Sequence, residues 1–93
     1  MIVGILTARL TIPEARSLKQ KRHVLRSVKD RLRNDFNVSV AETGGQDLWQ
    51  SAELAVAMVG TDRRYVNGAL DQAVNMLRTA PGAILAGYEI EFF

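Results

Sequence analysis

Lys19, Arg22, Arg26, Lys29 and Arg33 recur at helical spacing in a stretch without Gly or Pro. At about 100° per residue they fall within an arc of about 80°. At 1.5 Å rise per residue the row is about 21 Å long. A rigid row of cations can follow a phosphate backbone, and guanidinium groups suit bidentate phosphate contacts. The competing expectation is a solvated helix face whose long side chains cover apolar neighbours. Charge distribution favours the first. Residues 16–33 hold eight cations against Asp30 alone, a balance of +7, while the rest of the chain carries −5 within a total of +2. A structural face mixes signs to gain i,i+4 pairs, and like charges at that spacing mildly destabilise a helix. Arginine outnumbers lysine nine to three, a bias that genome composition or a hot habitat also produces.

Two further positions carry side chains capable of chemistry. Trp49, in Gln46-Asp47-Leu48-Trp49-Gln50 after the double glycine, could stack on a base or anchor an interface. The favoured expectation for a lone Trp in a small domain is that it closes one end of the core. Asp47 reads as a turn residue, with no titratable partner nearby in sequence. His23 lies among Lys21, Arg22 and Arg26. It could touch phosphate or a base, but the reading favoured is an exposed bystander.

Much chemistry is excluded by composition. The chain has no cysteine and one histidine, so disulfide scaffolds, thiolate sites and multi-histidine metal sites are out. No Walker loop, G-x-S-x-G or zinc spacing is present, and no cofactor is implied. Gly44-Gly45 alone is a weak phosphate-cradle signal and an ordinary hairpin turn. The longest apolar run, Leu54–Val59, is six residues, too short to span a membrane. The N-terminus Met1-Ile-Val-Gly-Ile-Leu lacks the basic region of a signal peptide and reads as a strand, which makes the cytoplasm the expected compartment. With 93 residues, 47% hydrophobic and 24% charged, residues 1–93 are expected to form one domain.

The elements that must position these side chains follow from periodicity. Residues 2–12 alternate, with Ile2, Gly4, Leu6, Ala8, Leu10 and Ile12 on one face, and Pro13 ends the strand. Ser17 can cap a helix in which Leu18, Leu25, Val28, Leu32 and Phe36 form the apolar stripe. Asn37–Glu42 reads as a short strand with Val38 and Val40 inward, and residues 43–47 as a turn. Leu48–Val59 contains a strand with Ala52, Leu54, Val56 and Met58 inward. Val66, Ala69, Leu70, Ala73, Leu77 and Ala80 mark a second helix, ended by Pro81-Gly82. Ala83–Phe93 is the last strand, with Ile84, Ala86, Tyr88, Ile90 and Phe92 on one face. The helices are expected near 18–34 and 62–79.

The order βαββαβ predicts an α+β, ferredoxin-like fold: a four-stranded antiparallel sheet with two helices on one face. The first and third strands should be central. RNA-binding domains of this topology read bases with aromatics on the open sheet. Here Ile5, Thr7, Arg9, Glu53, Ala55 and Ala57 offer no ring, so any nucleic-acid contact should use the first helix. The same open face carries Val3, Ile5, Val59, Leu85 and Phe93, an apolar patch expected to support self-association.

Ser17-Leu18-Lys19-Gln20-Lys21-Arg22, Val24-Leu25, Arg31-Leu32-Arg33, Phe36–Glu42, Asp47-Leu48-Trp49-Gln50, Thr61–Asn67 and Tyr88–Glu91 resemble the YlxP-like family of small bacterial proteins. The resemblance covers essentially the whole chain. It implies a ferredoxin-like fold and, in some bacteria, a gene setting near translation initiation and ribosome maturation factors. It carries over no catalytic residue. The family often has a histidine or another polar side chain where Gly45 stands, so acid–base chemistry in this loop is not expected.

These readings lead to a non-enzymatic RNA-binding or ribosome-associated accessory protein. It would hold phosphates with Lys19, Arg22, Arg26, Lys29 and Arg33. The alternative is a protein-interaction module, a homodimer or heteromer formed through the open sheet, with no nucleic-acid role.

Overall fold

Proline at 13, capping side chains at 17 and 62, and the 45–50 turn divide the chain where the periodicities change. The computed structural model describes residues 1–93. It contains β1 (Ile2–Thr11), α1 (Leu18–Asp35), β2 (Ser39–Gly44), β3 (Ser51–Gly60), α2 (Arg63–Arg78) and β4 (Ile84–Phe92). The strands form one sheet in the order β2-β3-β1-β4, every neighbouring pair antiparallel. The fold is therefore the ferredoxin-like βαββαβ sandwich, with β1 and β3 central as expected.

β1 and β3 pair without interruption from Ile2↔Gly60 to Thr11↔Ser51. This register puts Leu6, Ala8 and Leu10 beside Ala52, Leu54, Val56 and Met58 on the helix face, all buried. Both helices start on side-chain caps. Ser17 Oγ accepts from the Gln20 backbone N–H, which satisfies one orphan donor of the first turn, and Gln20 Oε1 accepts from the N–H of Arg16, the residue before the cap. Asp62 does the same for the Arg64 N–H at the start of α2.

The two helices sit differently. α2 buries Val66, Leu70, Ala73, Val74, Met76 and Leu77. It approaches the sheet closely because Val66 enters a notch at Gly4 and Gly60. A Cβ at Gly4 would lie 2.7 Å from Val66 Cγ1, and one at Gly60 2.6 Å from Val66 Cγ2. α1 buries Leu25, Val28 and Leu32, and with them Lys21.

β4 departs from the expected alternation. Its C-terminal half behaves as predicted: Tyr88, Ile90 and Phe92 stand opposite the helix-facing Ala8, Leu6 and Gly4. The register then slips, so that Arg9 pairs with Gly87 but Leu10 pairs with Leu85, leaving Ala86 as the extra residue of a bulge. The slip turns the strand's first residues over. Leu85 packs on the core, while Ile84 faces away and is 56% exposed. Leu85 therefore does not belong to the open-face patch. The other strand limits shift slightly: β2 begins at Ser39 and runs on through Thr43 and Gly44, which the sequence assigns to the turn. No helix is long and apolar enough to cross a membrane.

Candidate nucleic-acid interface

α1 runs along the edge of the sheet beside β2 and presents the cation row there. Lys19, Arg22, Arg26 and Arg33 are exposed and Lys29 is half-buried. Arg22, Arg26, Lys29 and Arg33 line one cavity of about 450 Å³ together with Leu25, Asp30 and Glu42. Lys19 is not part of it. It lines the neighbouring groove with His23, Gln20, Val24 and Gly82, so the structure brings four of the five cations together.

These cations are largely free of carboxylates. The molecule's three salt bridges are Arg9–Glu89, Lys21–Glu42 and Arg33–Asp30. Arg33 lies 3.8 Å from Asp30 and also donates to the Val40 carbonyl at 3.1 Å, on the edge strand β2. Lys19, Arg22, Arg26 and Lys29 have no such partner. Two carboxylates do reach the cavity. Asp30 is the partner of Arg33, and Glu42 is matched from beneath by Lys21.

Lys21 is the residue that sequence reasoning misses. Its side chain is 1% exposed. Its Nζ donates to the Gly45 carbonyl and lies 2.9 Å from Glu42 Oε2. The second approach is an ion pair by distance but too oblique for a hydrogen bond, and Glu42 Oε2 has no hydrogen-bond donor of its own. A signal was present. Positions 18, 21, 25, 28 and 32 follow the 3-4-3-4 spacing of a buried stripe, and Lys21 occupies one of its apolar slots.

The loop after β2 is fixed at both ends. Gly45 has φ +74°, a left-handed conformation suited to glycine. Its carbonyl accepts from the Leu48 N–H as well as from Lys21. At the far end, Gln50 Nε2 donates to the carbonyls of Pro13 (3.2 Å) and Ala15 (3.1 Å). Gln50 also receives the Ile12 N–H at its own carbonyl. Between these anchors Trp49 is 53% exposed and Leu48 56%. Trp49 therefore does not close the core as expected; Gln50 and the segment before α1 close that end. Asp47 lies in the turn and His23 is exposed, both as read from the sequence.

On the opposite face of the sheet, Val3 pairs with Val59 and exchanges two backbone hydrogen bonds with Phe93. The three side chains form one cross-strand row in which Val59 is 61% and Phe93 71% exposed. Ile5 lies in the next row, beside Ala57.

Comparison with known proteins fits this architecture. The family described as "Protein of unknown function (DUF503)" matches residues 3–90. The chain belongs to that family. A curated relative, "Uncharacterized protein YlxP" of Bacillus subtilis (strain 168), is 34% identical over 80 residues, spanning 86% of this chain and 87% of the relative. Among solved structures, the de novo designed protein LFR1 1 with ferredoxin fold aligns with a TM-score of 0.58 at 12% identity, over 98% of this chain and 86% of the design. The de novo designed protein Foldit4 aligns with a TM-score of 0.57 at 8% identity, over 100% and 97%. Likeness to designs at such identity concerns the fold alone. The family's bacterial, YlxP-like character rests on the sequence match.

Proposed function

We propose that this protein is a non-enzymatic, ribosome-associated RNA-binding accessory protein that grips phosphates with the basic face of α1. The observation that carries this reading is the clustering of Arg22, Arg26, Lys29 and Arg33 around one open cavity, three of them with no carboxylate partner. Unpaired cations held side by side on a helix cost a little stability. A polyanion that replaces their counterions recovers it and more.

Four phosphate contacts to single-stranded RNA give a log–log salt slope of about −0.7 × 4, or roughly −3. Arg26→Ala is expected to weaken binding to unrelated RNAs alike and to flatten the slope by about one contact's share. Its folding should hardly change, since Arg26 lies off the buried stripe. Titration of both proteins over a series of salt concentrations measures this. Equal affinities, or a wild type indifferent to salt, would leave the row an ordinary solvated face. Ribosome association is tested by co-sedimentation with subunits in lysate and release in high salt.

A second reading rests on the Val3–Val59–Phe93 row: a second copy, or another protein, covers the open sheet. Val59→Lys should then lower the sedimentation coefficient at high micromolar concentration. A wild type that is already monomeric there contradicts it.

A further inference from the structure

We propose that Trp49 is a stacking platform for an unpaired nucleobase of RNA whose phosphates lie on the α1 cation row. The inference rests on the phosphate-binding reading above and adds to it a base site and a preference for single strands.

The indole of Trp49 is exposed. About half of a large apolar side chain is left in water on a loop that is not free to fold it away. The Lys21–Gly45 bond anchors the loop on one side, and the two Gln50 bonds to Pro13 and Ala15 anchor it on the other. An aromatic group held out by hydrogen bonds at both ends of its loop is preorganised for contact, so little ordering is needed on binding.

The second step is the chemistry around it. Trp49 lines a groove of about 630 Å³ with Thr11, Asp47, Leu48, Gln50 and Ser51. It contains no cation. Two hydroxyls and a carboxylate can pair with the edge of a base, and the carboxylate accepts from amino or ring N–H groups such as those of cytosine or guanine. A carboxylate also repels phosphate. The groove therefore suits a base and the helix row suits a backbone.

The third step is placement. β1 ends, α1 begins and β2 ends at the same end of the molecule, and the Lys21–Gly45 bond ties the first turns of α1 directly to the loop. A strand following Arg33, Arg26 and Arg22 toward the start of α1 runs toward the end of the molecule that carries this loop. Bases inside a duplex are stacked on each other and cannot reach an isolated ring, so an unpaired strand is required.

Trp49 is the sole tryptophan, so its fluorescence reads the site directly. The probes are short single-stranded oligocytidine, duplex RNA and inorganic polyphosphate, which offers charge without bases. Oligocytidine is expected to quench Trp49, and polyphosphate and duplex are not. Trp49→Ala should bind oligocytidine about tenfold more weakly, bind polyphosphate like wild type, and keep the circular dichroism of the fold. Trp49→Phe should restore most of the loss.

Binding of oligocytidine that depends on Arg26, with unchanged fluorescence and an unaffected Trp49→Ala, overturns the base site and leaves the phosphate reading intact. Equal quenching by polyphosphate also overturns it, because the signal then comes from the loop and not from a base. Quenching by oligocytidine that is indifferent to Arg26→Ala and to salt supports the platform and overturns the phosphate row. Failure of every probe to bind overturns both.

Discussion

Lys21→Ala is expected to lose about 3–5 kcal/mol of stability, because it leaves the Glu42 carboxylate partly buried without its cation. The Glu42 side chain is 18% exposed, so water reaches part of it and the lower end of that range applies. The Gly45 carbonyl loses its side-chain donor at the same time. The double variant Lys21→Met with Glu42→Gln should be much closer to wild type. It fills the apolar slot with a side chain of similar length and removes the stranded charge. Urea unfolding followed by circular dichroism measures both. A small domain has only about 5–15 kcal/mol in total, so the single substitution should shift the midpoint conspicuously. An unchanged midpoint would mean that the ion pair contributes nothing net.

Gly4→Val has the next largest effect. The new side chain meets Val66 and Leu70, whose nearest atoms stand 2.7 and 2.9 Å from even a bare Cβ. α2 must then lift from the centre of the sheet. Overpacking of this kind costs about 1–3 kcal/mol, which outweighs the roughly 0.5–1 kcal/mol gained by removing glycine from a strand interior. Val66→Ala empties the notch from the helix side. Combined with Gly4→Val it should therefore cost less than the sum of the two single changes, with a coupling of at least about 0.5 kcal/mol. Simple additivity would show that the close approach is relaxed without strain.

Much of this architecture is legible in the chain because the strictest periods coincide with the central elements. Residues 2–12 and 52–58 alternate without a break, and their uninterrupted pairing is what alternation on one buried face requires. Leu25, Val28 and Leu32 mark the buried side of α1 equally plainly. Lys21 is hidden for a specific reason. A lysine in an apolar slot is counted with the surface cations unless its partner is known, and Glu42 is brought to it only by the return of β2. Leu85 is hidden for a similar reason: the bulge follows the Arg9–Gly87 pair, where Arg9 lies so close that a Cβ on Gly87 would stand 2.7 Å from Nη2, and that is a property of two strands together. The cation row is visible as a row. Its division, with Lys19 turned into one groove and four cations gathered in another, depends on where β2 lies beside the helix. Trp49 illustrates the remaining case, since nothing local says whether a lone indole faces in or out. Gln50, next to it, decides the matter by taking the anchoring contacts itself.

The unequal seating of the two helices also bears on how the molecule opens. α2 buries six apolar side chains, whereas α1 buries three and a lysine and carries a file of mutually repelling charges. Local unfolding takes the least costly route, so α1 and the edge strand beside it are expected to detach first as one cooperative unit, while β1, β3, β4 and α2 stay assembled. Any anion that settles along α1 favours the closed form over the open one by mass action. The segment that holds the ligand is then also the segment whose population the ligand controls.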